Sequence, residues 1–165
     1  MNGIKPEQFK GSPKGSRLPI FPWVIGLVSV LPFWLGAYGV YWPFEGFSPV
    51  SVLSLTSIYG GVYLSLVGGS KWGLVSAATN ATQSKPVWPA AQMLMAFMIM
   101  LAGFCAIILP AQLGLTILLA GFMFMALWDL IHSQAGVIVF WYARLRVWLT
   151  VFTVAPLLAL LLKVL

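Results

Sequence analysis

Residues 57–77 read SIYGGVYLSLVGGSKWGLVSA, and small residues recur there at every fourth position: Ser57, Gly61, Ser65, Gly69, Gly73 and Ala77. A ridge of this kind on an apolar helix lets a second helix approach closely. Helices associate this way in lipid, where burial of apolar surface no longer drives them together. The stretch therefore predicts a membrane helix built for packing. Lys71 lies inside it. At about 100° per residue, Lys71 points about 160° away from both Gly69 and Gly73, so lysine and ridge face different neighbours. The ridge itself drifts by about 40° per step and winds around the helix.

The rest of the chain has the same character. Hydrophobic residues make up 61% and charged residues 7% of the 165. With a mean hydropathy of +0.97, this composition lies outside the range of soluble domains. The expected fold class is all-α: a polytopic membrane protein with one domain of five transmembrane helices, at about 19–41, 50–78, 89–109, 113–131 and 145–163. A flexible basic tail over 1–18 precedes them. Each run meets the roughly 20 residues needed to cross a ~30 Å hydrocarbon core. The second, roughly 42 Å long at about 1.5 Å per residue, must tilt or project. The first run is too long for the apolar region of a signal peptide and lacks a convincing cleavage site, so it reads as a retained helix.

Prolines punctuate this pattern. Pro89 and Pro110 read as start and stop signals around the third helix. The few residues between the third and fourth runs make those helices antiparallel neighbours. Pro32 and Pro156 fall inside helices, where the lost backbone hydrogen bond predicts bends. A loop over 133–144 leads into the fifth helix.

Orientation follows from the cations. With the amino terminus cytoplasmic, Lys5, Lys10, Lys14, Arg17, Lys85, Arg144 and Arg146 fall inside and Lys163 outside, as the positive-inside rule requires. The expected location is a bacterial inner membrane, with the mitochondrial inner membrane as the alternative; the chain shows no Arg-rich, Ser-rich presequence. The net charge of +6 is scattered over helix ends without an aromatic-studded patch, which argues against nucleic acid. The lipid bilayer, including anionic lipids, and another membrane protein or a second copy are the expected partners.

Polar chemistry is scarce. The acids are Glu7, Glu45 and Asp129, and the chain holds one histidine, His132, and one cysteine, Cys105. Acid–base pairs, activated nucleophiles and metal sites each need several convergent groups, so no catalytic, cofactor or metal site is expected. Asn80-Ala81-Thr82 matches the glycosylation pattern but falls in a loop assigned to the inside.

Lys71 is the costliest residue, since a charge at the bilayer centre costs roughly 2.5–3.5 kcal/mol on insertion scales. It lies ~10 Å from the inner end of its helix, within snorkelling distance. Asp129, near the inner end of the fourth helix, is at a matching depth, and His132 follows it by one turn. The leading reading is a Lys71–Asp129 ion pair, with Arg144 and Arg146 as rivals for Asp129. Lys71, Asp129, His132, Arg144 and Arg146 form the candidate polar cluster. Structural pairing, a proton or ion path, and a ligand or lipid-headgroup site remain open for it.

Other residues take plainer readings. Met93, Met95, Met98, Met100, Met123 and Met125 are gap-filling packing, and His132 is a hydrogen-bonding loop anchor. Trp128, Trp141, Tyr142 and Trp148 suit an interfacial aromatic belt. Arg144 and Arg146 read as retention charges or anionic-lipid contacts.

Several of these features occur in order: Leu31-Pro32-Phe33, Tyr59-Gly60-Gly61, Leu66-Val67-Gly68-Gly69-Ser70-Lys71-Trp72-Gly73, the isolated Asp129, and Trp141-Tyr142-Ala143-Arg144-Leu145-Arg146 with Leu149-Thr150. Over about Leu31 to Leu161 the chain resembles the domain-of-unknown-function family typified by transmembrane protein 69 of animal mitochondria, found widely in proteobacteria. In that family a basic or histidine side chain precedes the tryptophan at the position of Lys71. A proline commonly precedes the Trp-Tyr pair, where this chain has Phe140. The resemblance implies a small helical membrane protein and carries no activity, substrate or cofactor.

Two function classes follow. The first is a non-enzymatic structural or accessory subunit packing against a larger membrane complex, such as a respiratory or other energy-transducing one. The second is a small oligomeric transporter or lipid-binding protein using the inner-leaflet Lys/Asp/Arg cluster. The runs show no internal repeat of the kind common in secondary transporters, which favours the first.

Overall fold

The computed structural model describes residues 20–43, 45–80, 89–134 and 140–165, apart from the side chains of 74–80, 89, 132–134 and 140–141. Among the described residues there are five helices: α1 Ile20–Tyr41, α2 Pro49–Asn80, α3 Pro89–Ile108, α4 Ala111–Gln134 and α5 Phe140–Val164. Each contains a segment long and apolar enough to cross a membrane, so the chain is an all-α membrane bundle.

Local chemistry sets the boundaries. Pro49 and Pro89 are the first residues of α2 and α3, where the missing N–H costs nothing and the fixed φ suits the helix. Ser48 caps α2 by accepting the Ser51 amide at 3.1 Å, as N-cap serines do. Leu109 and Pro110 alone separate α3 from α4. The surplus length of α2 becomes projection: its apolar span ends at Gly73, and the helix continues to Asn80.

Two expected boundaries are corrected. The fifth helix starts at Phe140 rather than near 145, which moves Arg144 out of the expected loop and into α5. No proline or glycine separates Phe140 from Arg146, so nothing breaks the helix there. Similarly, α4 runs to Gln134, and the His132 backbone is helical rather than part of a loop. The tail over 1–18 and Lys85 lie outside the described residues.

The helices close a ring. α1 packs on α2 and α5, α3 packs on α2 and α4, α4 packs on α5, and α2 also meets α4 across the middle. Phe33 of α1 sits at the centre, completely buried. Its ring meets Tyr59, Tyr63 and Phe122 edge-on, with centroids 5.2, 5.8 and 6.0 Å away, a favoured geometry for aromatic quadrupoles. Leu64, Leu115, Leu118, Leu157 and Leu160 complete the buried core.

Both internal prolines are accommodated inside continuous helices. Pro156 has no N–H to offer the Phe152 carbonyl one turn earlier. Trp34 Nε1 of α1 donates to that carbonyl instead, at 3.0 Å. Near Pro32, the Tyr59 hydroxyl of α2 donates to the Ser29 carbonyl at 2.7 Å. Membrane helices tolerate proline when a neighbouring helix satisfies the freed carbonyl, as Trp34 does at Phe152; the carbonyl that Pro32 frees is that of Val28, one residue before Ser29.

The methionines divide. Met125 is buried, whereas Met98, Met100 and Met123 are largely exposed on the outer surface, against the expectation of packing. In a protein surrounded by hydrocarbon, an apolar side chain gains little by turning inward, so these methionines can face outward without cost.

Candidate functional site

The expected packing ridge is real for only part of its length. A Cβ at Gly61 would lie 2.5 Å from the Gly103 carbonyl oxygen of α3, and one at Gly103 would lie 2.5 Å from the Gly61 carbonyl oxygen. The two glycines are therefore a backbone-to-backbone contact that no side chain fits. Ser65 follows on the same face, and its Oγ donates to the Met100 carbonyl at 3.1 Å. One turn further, Gly68 continues the seam, with its Cβ position 3.0 Å from the Ala96 carbonyl oxygen.

Gly69 and Gly73 leave that seam. Among the described residues, only Met100 Sδ approaches the Cβ position of Gly69, at 4.0 Å, and nothing lies within 4 Å at Gly73. The cause is the drift of a four-residue repeat: seven residues, as from Gly61 to Gly68, return to within about 20° of two full turns, whereas eight overshoot by about 80°. At the start of the ridge, Ser57 is buried and its Oγ has no hydrogen-bond partner among the described residues. The side chain of Ala77 lies outside the described residues.

An adjacent face of α2, about 60–80° round from Gly68 and Gly61, carries Lys71. Lys71 Nζ forms an ion pair with Asp129 Oδ1 of α4. Arg146 of α5 donates through Nε to Asp129 Oδ2 at 3.1 Å. Asp129 is completely buried and Lys71 nearly so. Three helices thus converge on one carboxylate, with a lysine on one oxygen and an arginine on the other. The Arg146 guanidinium also lies 5.8 Å from the centre of the Tyr142 ring one turn earlier, within cation–π range.

Arg146 therefore joins the pair rather than competing for it. Arg144 does not join. Two residues earlier on α5, it points about 160° away from Arg146, and it is exposed. The side chains of His132 and Trp141 lie outside the described residues. Trp128 stacks on Phe124, and the exposed Trp148 stacks on Phe152.

Chemically, the arrangement is an ion triad with both carboxylate oxygens occupied. Among the described residues, no three His, Cys, Asp or Glu side chains are grouped to hold a metal ion. The opposite end of the bundle is organised differently. There Lys163 lies 5.5 Å from the Tyr41 ring centre, Tyr41 donates to the Ala159 carbonyl at 3.0 Å, and Tyr38 stacks on Trp42.

Sequence reasoning missed Gly68 and Gly103 as the α3-facing contacts. The available signal was Gly103 itself, an isolated glycine in an otherwise large-residue run. It also missed Gly121, which receives Leu64 at 2.7 Å from its Cβ position. A family profile described as a protein of unknown function, DUF3429, matches residues 18–162. No curated protein matches the chain, and no solved structure does.

Proposed function

Because the chain belongs to the DUF3429 family of proteins of unknown function, whose description assigns no chemistry, we propose a role from its surfaces: a non-catalytic accessory protein that docks onto another membrane protein. The observation that carries this reading is the open glycine pair on α2. Gly69 and Gly73 are spaced as a close-packing pair, yet among the described residues nothing lies within 4 Å of the Cβ position of Gly73. The charged groups, by contrast, are turned inward onto one another.

In this reading the ion triad is a structural lock, and the docking partner is a transmembrane helix of a larger complex, such as a respiratory or other energy-transducing one. The amino terminus is placed on the cytoplasmic side of an inner membrane, as the grouping of Lys71, Arg144 and Arg146 at one end of the bundle supports. The exposed Arg144 suits a contact with anionic headgroups at that face.

Affinity purification in mild detergent tests the role. A partner recovered stoichiometrically with the native protein should be lost from Gly69→Leu and Gly73→Leu variants whose own thermal stability is unchanged. Recovery of a lone, lipid-loaded homo-oligomer would instead favour the transporter or lipid-binding reading.

A further inference from the structure

The ion triad leaves one polar group unsatisfied. Arg146 binds Asp129 through Nε, while its Nη2 is buried without a hydrogen-bond partner among the described residues. A buried charged donor left unpaired is costly, because its water is lost and nothing replaces it. Arg146 also lines a cavity, together with Tyr63 of α2, Thr150 and Thr153 of α5 and apolar walls from α2, α4 and α5. The volume open to the centre of a water molecule is about 10 Å³, close to the roughly 10–15 Å³ that a single water requires.

We propose that this cavity is a binding site for one structural water, held between the Arg146 guanidinium and the hydroxyl oxygens of Tyr63 and Thr153. The hydrogen bonds already made determine what the site can take. Thr153 donates its hydroxyl proton to the Leu149 carbonyl at 2.8 Å. Ser29 donates its own to the Gly26 carbonyl at 2.7 Å, so Tyr63 is the donor in the 3.0 Å contact between Tyr63 and Ser29 hydroxyls. The oxygens of Tyr63 and Thr153 are left as acceptors, and Arg146 Nη2 can only donate.

A site with both a donor and acceptors suits water, which accepts from the guanidinium and gives its two protons to the hydroxyl oxygens. A halide would balance the surplus cation of the triad, but it would face the lone pairs of both hydroxyl oxygens. A phosphate is too large for the volume. The bound water links Arg146 to Tyr63, and through the Tyr63–Ser29 bond it ties the charged cluster to α1. The cluster then spans α1, α2, α4 and α5.

The test is a high-resolution crystal structure of the full chain grown with bromide in place of chloride. A single peak within about 3.2 Å of Arg146 Nη2, without anomalous bromide signal, is expected. No peak there, or a bromide peak, overturns the proposal. A Tyr63→Phe, Thr153→Val double variant gives a second readout. Loss of the peak with the Arg146–Asp129 contact intact is expected, and a peak that persists shows that the hydroxyls do not hold it. Replacing chloride by gluconate should leave the melting temperature of the native protein unchanged, whereas a drop would mark a halide site.

Discussion

The two sides of α2 are held by opposite means. Toward α3, contact depends on what is missing: at Gly61 and Gly103 the backbones meet because neither residue carries a Cβ. Toward α4 and α5, contact depends on what is present, a buried lysine and arginine sharing one carboxylate. The first side is sensitive to volume and indifferent to charge. The second is sensitive to charge, and its long flexible side chains absorb changes of volume. One helix can therefore fail in two distinguishable ways.

The largest effect is expected at Asp129. Asp129→Asn leaves two cations buried without a counter-charge, a loss of about 3–5 kcal/mol, read as greatly reduced accumulation in the membrane and a lowered melting temperature in mild detergent. Lys71→Met should cost clearly less, because Asp129 keeps Arg146. The reciprocal exchange, Lys71→Asp with Asp129→Lys, should recover only part of the loss, since the new lysine would face Arg146. Full recovery would show that Arg146 is not a member of the group.

Next comes the seam. Gly103→Val forces a side chain into the Gly61 backbone and should cost about 1–3 kcal/mol, the usual range for overpacking, with the Lys71 contacts undisturbed. A smaller loss, about 0.6 kcal/mol as for an average interhelical hydrogen bond in a membrane, is expected from Trp34→Phe, which removes the donor to the Phe152 carbonyl. That loss should shrink in a Pro156→Ala background, where the residue at 156 regains an N–H for the same carbonyl. Equal losses in both backgrounds would separate the indole from the proline. The smallest effect is expected at Gly73→Ala, within about 0.5 kcal/mol, because the position is open.

Most of the architecture was legible because membrane spans declare themselves by length and hydropathy, and because Pro49, Pro89 and Pro110 punctuate them. The beginning of α5 was not. Phe140 to Arg144 contains aromatic and basic residues that suit an interfacial loop and a helix equally, and the helical continuation is visible only in the backbone. The meeting of Lys71 with Asp129 could be anticipated from depth and sign, since few charges lie in the apolar runs. Arg144 and Arg146 were both within reach of Asp129 on sequence grounds, but that Arg146 alone joins the pair was not legible, because rotation about α5 depends on where that helix starts. Likewise, the fourfold spacing announced a close-packed helix but placed the seam on Gly69 rather than Gly68. A difference of one residue is 100° of rotation, and the position of α3 selects between them.

The closure of the ring by α1 and α5 has a consequence for how the protein is made. These two helices run in the same direction and are joined by Trp34–Phe152 and Tyr41–Ala159, although nearly the whole chain separates them. As the chain emerges from the ribosome, α1 can pack on α2 but must wait in the bilayer with its other flank uncovered until α5 arrives. Lys71 and Asp129 can meet once α4 is inserted, forming a neutral pair before Arg146 has entered the bilayer. Arg146 and the final seam then enter together, so insertion of α5 both completes the ion triad and seals the bundle. A nascent chain stalled after α4 would hold the lysine–aspartate pair but lack the helix that closes the ring.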